Sequence, residues 1–438
     1  MSNTYQKDRR GAQSDSLPGE VAVPEQVIVS MAGIAESAKE GLLALAVGTG
    51  LQVMAAMFGE DAERLCGPES KHNPGRAGYR HGAGAGSVTL GGRRVPVTRP
   101  RVRAADGSGE LRLPSYDLFS STEILGQMAL EKMLARLSSR RYSAGLEPAG
   151  QAVEAAAAAT SKSAVSRRFV VATETALAEL MARRLDDLDL VAFMVDGVYF
   201  GEHTCVVALG IGIDGTRHPL AVEEGSTENA TLVTDLITGL RGRGLDVTKP
   251  ILAVLDGGKA LSRAVKDVFD KPLIHRCQQH KIRNVRDRLP EKMRTVAEKR
   301  MRAAYHAESA LKAEGLLTEL AAELGKIHPG AAASLREGMA ETLTILRLGV
   351  PPALARTLHS ANPIESMIEV CREHSKNVKR WRDGTMALRW CAAGMLEANH
   401  QFRRVNGHLH LPKLRAALDA HFSRNASAGS HDETVNAA

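Results

Sequence analysis

The chain has 438 residues, enough for two or three domains. Its 57 lysines and arginines against 50 aspartates and glutamates give a net charge of +7, which points to a polyanionic partner without identifying one. Five cysteines, an odd number without a signal-peptide pattern, argue against a disulfide framework and for a reducing cytoplasm, the expected location.

Residues 1–30 are polar with scattered glycine and proline and read as a flexible arm. Residues 31–120 read as a helical region followed by a small β unit. Apolar spacing predicts helix from Met31 to Leu65. Within it "GLLALAVGTGLQVMAAMFG", Gly41 to Gly59, comes closest to a membrane segment. Thr49, Gln52, four glycines and the acids that follow predict a buried helix instead, and no membrane partner is expected. Next, "GYRHGAGAGSVTLGGRRVPVTRPRVR" alternates apolar with polar or basic residues around Gly91-Gly92, a hairpin pattern. From Lys71 to Arg103 there are eight basic residues and no acidic one. Arg76, Arg80, Arg93, Arg94, Arg99 and Arg101 are therefore candidate phosphate contacts, the alternative being a merely solvated hairpin.

Residues 121–188 return to a helical pattern that runs through the alanines Ala155 to Ala159. In "TSKSAVSRRF" Thr160 reads as an N-cap, with Lys162, Arg167 and Arg168 in the first turns of the following helix. A helix-turn-helix presents polar residues to a groove in this way, and an ordinary capped surface helix reads the same.

The texture changes at residue 189. "DLVAFMVDGVYF", "HTCVVALGIGID" and "RHPLAVEE" are three β-rich runs, with Asp214-Gly215 a hairpin turn between the last two. Leu232, Val233, Leu236, Ile237 and Leu240 then recur at helical spacing. "ILAVLD" has no polar alternation, as a centrally buried parallel strand should look. A helix over Lys259–Phe269, the run "PLIHRC" and the helix "QQHKIRNVRDRL" follow, giving the order β, β, β, α, β, α, β, α across 189–290. Residues 291–358, rich in Ala, Glu, Leu and Arg at helical spacing, read as an all-helical insertion. Residues 359–425 read as the second part of the same α/β core, and 426–438 as a flexible tail.

"ILAVLDGGKAL" poses the functional question. A Walker loop is excluded, because Gly257, Gly258, Lys259 and Ala260 lack the leading glycine and the hydroxyl, and no dinucleotide fingerprint follows the strand. "FMVDGV", however, puts Asp196 in the same setting as Asp256: an apolar strand, a carboxylate, then glycine. One such aspartate is more often a turn former. Two on strands expected to be neighbours repel unless a cation neutralises them. A third carboxylate is then expected on a helix facing the strands. In "HSANPIESMIEVCREHSKNVKR" Asn362 reads as N-cap, Pro363 as the first helical residue, and Glu365 as either that inward acid or the closing member of a capping box.

These residues, with Cys277-x-x-His280 followed by Lys281-x-Arg283-Asn284 and with Asn362-x-x-Glu365-Ser366, resemble a bacterial mutator-type insertion-sequence transposase. The likeness runs from about Gly78 to about Leu414. It implies an α/β, RNase-H-like mixed-sheet core interrupted by an all-helical insertion, with Asp196, Asp256 and Glu365 as a metal-binding catalytic triad. The family's late insertion tryptophan is replaced here by "REGMAETL", and its "TTNAIES" is "HSANPIES".

The resemblance implies magnesium, with manganese able to substitute. It implies double-stranded DNA partners, the element's terminal inverted repeats and target DNA, bound by a homodimer or higher assembly in the nucleoid. The expected activity is metal-dependent strand cleavage and strand transfer at the element's ends. The alternatives are a metal-dependent nuclease or resolvase on the same core, or a DNA-binding regulator from a decayed element. Cys277, His280 and Lys281 are expected to support the active site. Arg283, Arg286, Arg372, Lys376, Lys379 and Arg380 are expected to grip phosphates. A zinc site built from Cys277, His280, Cys371 and His374 is the disfavoured alternative.

Overall fold

The computed structural model describes residues 41–71, 73–226 and 229–435. The arm expected over 1–30 and the start of the helical region lie outside them. The chain divides into two compact units. One runs up to Lys132 and includes Leu137–Arg168, and the other comprises Met133–Arg136 and everything from Phe169 onward.

In the first unit a helix, Leu42–Cys66, covers a sheet of three antiparallel strands: β1 (Gly78–Leu90), β2 (Arg93–Ala104) and the short β3 (Glu110–Leu111). By length and composition this helix could cross a membrane. In the fold it places Met54, Phe58, Ala62 and Cys66 against Val88, Val95, Val102 and Leu113. β1 and β2 turn at Gly91 and Gly92, whose φ of +53° and +78° suit the primed turn that a tight hairpin needs.

The alanine run departs from the expected helix. The helix Gln151–Ala156 stops before Ala158, which pairs with Arg94 in an isolated bridge through two backbone hydrogen bonds of 3.0 and 2.8 Å. Pairing to an open strand edge here outweighs alanine's helix propensity. The next helix, Lys162–Ala182, is capped from Ser161, whose hydroxyl accepts the Ala164 N–H at 3.4 Å, and not from Thr160. The division between the units falls inside this helix, so the region expected over 121–188 is shared between them.

The second unit is a mixed α/β body built on a five-stranded sheet. Its strands are β4 (Leu190–Phe200), β5 (His203–Gly212), β6 (Arg217–Glu224), β7 (Ile251–Leu255) and β8 (Pro272–Arg276), in the order β6-β5-β4-β7-β8. β4, β5 and β6 form an antiparallel meander, while β7 and β8 add in parallel. Side-chain alternation feeds two cores. Phe193 and Val195 of β4, with Ile251, Ala253 and Leu255 of β7, meet Val233, Leu236, Ile237 and Leu240 of the helix Ala230–Gly242. On the opposite face Ala192, Met194 and Val198, with Leu252 and Val254, meet Ile364, Met367, Ile368 and Cys371 of the helix Asn362–Ser375. The helices Glu291–Tyr305, Ala310–Ile327 and Pro329–Arg336 make a separate core around Met301, Leu317, Leu320 and Leu335. The final helix, Leu411–Val435, runs through most of the stretch 426–438 expected as a tail.

Arg415 of that final helix pins the starts of the two central strands. It donates to the carbonyls of Pro250 at 2.5 Å and Leu190 at 2.7 Å and to the Asp189 carboxylate at 2.8 Å. Arg415→Met keeps the aliphatic stem but orphans two largely buried carbonyls. It is expected to cost about 2–3 kcal/mol, read as a lowered urea midpoint at unchanged slope.

Candidate active site

Where Ala192, Phe193 and Met194 pair in parallel with Leu252, Ala253 and Val254, the next residues on the inner alternation of each strand are Asp196 and Asp256. They therefore end up in register, side by side, on the face covered by the helix Asn362–Ser375. Each carboxylate is held by the glycine turn after it. Asp196 Oδ1 accepts the Gly197 N–H at 2.7 Å, and Asp256 Oδ1 accepts the Gly258 N–H at 2.8 Å.

Glu365 arrives from the covering helix. That helix begins at Asn362, so Ala361 and not Asn362 is its N-cap, and Pro363 stands second. The Asn362 N–H turns to the Ser360 hydroxyl at 3.4 Å rather than to Glu365, and the half-buried Glu365 carboxylate instead faces His280 Nε2 at 3.6 Å. The capping-box alternative thus gives way to an inward-facing acid.

Charge in this cluster is felt most at Asp196. Burial pushes its carboxyl up to about 6, the neighbouring Asp256 and Glu365 add to the rise, and the Gly197 N–H and His280 oppose it. His280 is held above its ordinary value, first by the Cys277 thiol and then by Glu365 and Asp196. Cys277 itself is fully buried, and its sulfur accepts the Ala361 N–H at 3.3 Å, tying the start of the His280 helix to the start of the Glu365 helix. Among the described residues no three His, Cys, Asp or Glu side chains are drawn closely enough to ligate one ion as they stand.

The description "Transposase, Mutator family" matches residues 26–405. The chain belongs to the Mutator family of transposases. It is 26% identical over 358 residues to the transposase for insertion sequence element ISRM5 of Rhizobium meliloti, covering 81% of this chain and 87% of that one. It is 31% identical over 204 residues to the transposase for insertion sequence element IS6120 of Mycolicibacterium smegmatis, covering 45% and 62%. The transposase for insertion sequence element IS256 in transposon Tn4001 of Staphylococcus aureus is 25% identical over 245 residues, 54% and 60% of the two chains. The aligned stretches thus span less than two thirds of the length of these last two relatives.

In this Mutator-family chain several expected phosphate contacts carry structural duties. Lys281 is fully buried. Its ammonium donates to the carbonyls of Ser334, at 2.6 Å, and Glu337, so it braces the helical insertion and is not presented to a ligand. Burial lowers it to about 8. Arg93 is buried and donates to the Glu147 carbonyl at 2.9 Å. Arg94 is spent on Ser87, Thr89 and the Ser120 carbonyl at 2.5–3.0 Å. Arg99 and Arg101 share Glu110 at 3.0 and 2.8 Å. Arg80 donates to the Gly67 carbonyl at 3.2 Å, and Arg76 lies over the Tyr79 ring at 4.0 Å. The strand's regular spacing of arginines therefore stitches the β unit together more than it forms an open basic face.

Elsewhere Arg168 donates to the Ala159 carbonyl at 2.6 Å, Arg286 pairs with Glu298 at 3.0 Å, Lys376 pairs with Glu373, and Arg372 stands 4.0 Å from Glu369. Lys162, Arg167, Arg283, Lys379 and Arg380 are exposed. The four groups of the zinc alternative go to separate partners: Cys277 to Ala361, His280 to Glu365, Cys371 to the Cys391 carbonyl at 3.6 Å, and His374 to the Leu134 carbonyl at 2.5 Å. Both tryptophans serve the aromatic core, with Trp381 4.9 Å from Phe200 and Trp390 4.6 Å from Phe169.

One residue that sequence reasoning missed is Arg276. Its buried guanidinium lies against Gly257, where an added Cβ would meet Nε at 2.1 Å, so Gly257, at φ +105°, is required both for the turn after Asp256 and for this approach.

The raised Asp196 pKa has a definite sign for stability. The folded state holds this proton more tightly than the unfolded chain, so the ionised carboxylate costs stability as pH rises from about 4 through about 6. In EDTA, Asp196→Asn is expected to raise stability at pH 8 by about 2 kcal/mol and to leave it unchanged at pH 3. Denaturant melts at the two pH values test this, and an equal effect at both would remove the carboxylate's charge as the cause.

Proposed function

We propose that the chain is a DDE-type DNA transposase that binds the ends of its insertion element and catalyses DNA strand cleavage and strand transfer. One observation carries the reading beyond family membership: Asp196 and Asp256 stand in register on parallel neighbours, on the face from which Glu365 approaches. The strand order supports an RNase-H-like core, with three antiparallel strands followed by two parallel ones and the acids on the first and fourth strands.

The site suits a hard divalent cation such as magnesium or manganese. Three carboxylates supply oxygen donors, and Asp196 carries a buried charge whose raised pKa records a missing counter-charge. Asp196, Asp256 and Glu365 would hold the ions, which when bound polarise the phosphorus centre and stabilise the attacking and leaving oxygens of an in-line displacement. The protein's own contribution is positional. The two glycine turns fix the aspartates, and the Cys277–Ala361 hydrogen bond fixes His280 against Glu365. Charged protein groups at such a site favour the approach of an anionic phosphodiester only once the carboxylates are neutralised. Exposed Arg283, Lys379 and Arg380, and on the first unit Lys162 and Arg167, are the cations free to meet phosphates by charge alone.

The test is cleavage and strand transfer on duplexes carrying the inverted repeats that flank the gene. Asp196→Asn, Asp256→Asn and Glu365→Gln are each expected to lower both activities by at least about a hundredfold while retaining DNA binding by gel shift. Glu365→Gln with most of its activity intact would remove it from the triad. Absence of cleavage by the unaltered chain in magnesium or manganese would overturn the enzymatic reading in favour of a DNA-binding regulator.

A further inference from the structure

A second cavity, of about 390 Å³, opens beside the first turn of the helix that carries Glu365. Four arginines line it, Arg217, Arg356, Arg403 and Arg404, together with Asn362 and Thr357, and no aspartate or glutamate does. Arginines gathered without a counter-charge repel one another, and the arrangement is stabilised by an anion.

Arg217 shows the most specific preparation. Its guanidinium lies 3.9 Å from the Phe402 ring, Nη1 donates to the Ser366 hydroxyl at 3.1 Å, and Nη2 donates to the Arg403 carbonyl at 3.3 Å. Its remaining donor, Nε, is buried without a hydrogen-bond partner. Asp214 feels Arg404 but is committed first to the Thr216 hydroxyl and N–H. The helix end is not the source of the site. Its Asn362 N–H goes to Ser360, and the Ile364 and Glu365 N–H groups go to the Ala361 carbonyl.

We propose that this arginine-lined cavity binds a backbone phosphate of the DNA strand whose neighbouring phosphodiester lies at Glu365. The inference rests on the transposase reading for its ligand. Ser366, which Arg217 holds, is next in sequence to Glu365, so one strand crossing the carboxylates passes this cavity at an adjacent phosphate. Bidentate guanidinium contacts to phosphate would fix the strand's register there without reading its sequence.

Arg356 and Arg404 are exposed, so Arg356→Gln with Arg404→Gln should leave the fold intact. Two measurements on the full chain separate the inference from the reading beneath it. In EDTA, millimolar pyrophosphate is expected to raise the melting temperature of the unaltered chain, and the shift should be lost in the double variant. Binding of a 30-base-pair duplex, followed by anisotropy across salt concentrations, is expected to show a log-log slope shallower by about 2 in the variant, since each lost phosphate contact removes about 0.9. A pyrophosphate shift that persists in the variant overturns the cavity as an oxyanion site. A lost shift with an unchanged duplex slope overturns the DNA assignment and leaves a site for free phosphate. Failure of the unaltered chain to bind the duplex overturns the transposase reading itself.

Discussion

Parallel pairing of β4 with β7 is the constraint from which the candidate site follows. The ladder sets Met194 opposite Val254, and alternation then carries Asp196 and Asp256 to the same face two residues later. A slip of one residue in either strand would send one aspartate into the core built around Phe193 and Leu236. Burial of β7 on both faces makes that slip costly, because every residue from Ile251 to Leu255 is packed. The hydrophobic cores on the two faces therefore determine where the carboxylates stand, and Arg415 fastens the strand starts from the far end.

The same placement works against stability. A carboxylate pushed up to about 6 by burial, with two others near it, is a charge the apo fold tolerates without benefit. Such a cost is expected where a cation is to be recruited, since neutralising the repulsion becomes part of the binding free energy. His280 moderates the cost locally: it faces Glu365 and is itself oriented from Cys277, which belongs to the core. The small chain of contacts from Cys277 to Ala361 links two helices whose first turns both border the acids.

Basic residues divide into two populations that composition cannot separate. Arg93, Arg94 and Lys281 use their donors on buried or half-buried carbonyls and hydroxyls, where an unpaired oxygen would be expensive. Arg217, Arg356, Arg403 and Arg404 converge on open space from β6, from the helix Pro352–Leu358 and from the segment after Gln401. A long gap in the chain separates Arg217 from the other three, which is why no local charge run announces the cavity.

Local pattern determined a good deal here. The three β-rich runs, the Asp214-Gly215 and Gly91-Gly92 turns, the buried strand "ILAVL" and the helices around it follow from alternation, glycine placement and apolar spacing, all of which act over a few residues. The matched settings of Asp196 and Asp256 were legible for the same reason. Tertiary structure decided what depends on residues far apart. It ended the alanine helix at Ala156 by offering Ala158 the edge at Arg94, and it moved the cap of the Glu365 helix to Ala361. It also turned Lys281 inward to the insertion and drew four arginines around one cavity. Whether a polar side chain meets water, a carbonyl or an anion is a matter of which distant segment packs beside it, and that information is not carried by its neighbours in the chain.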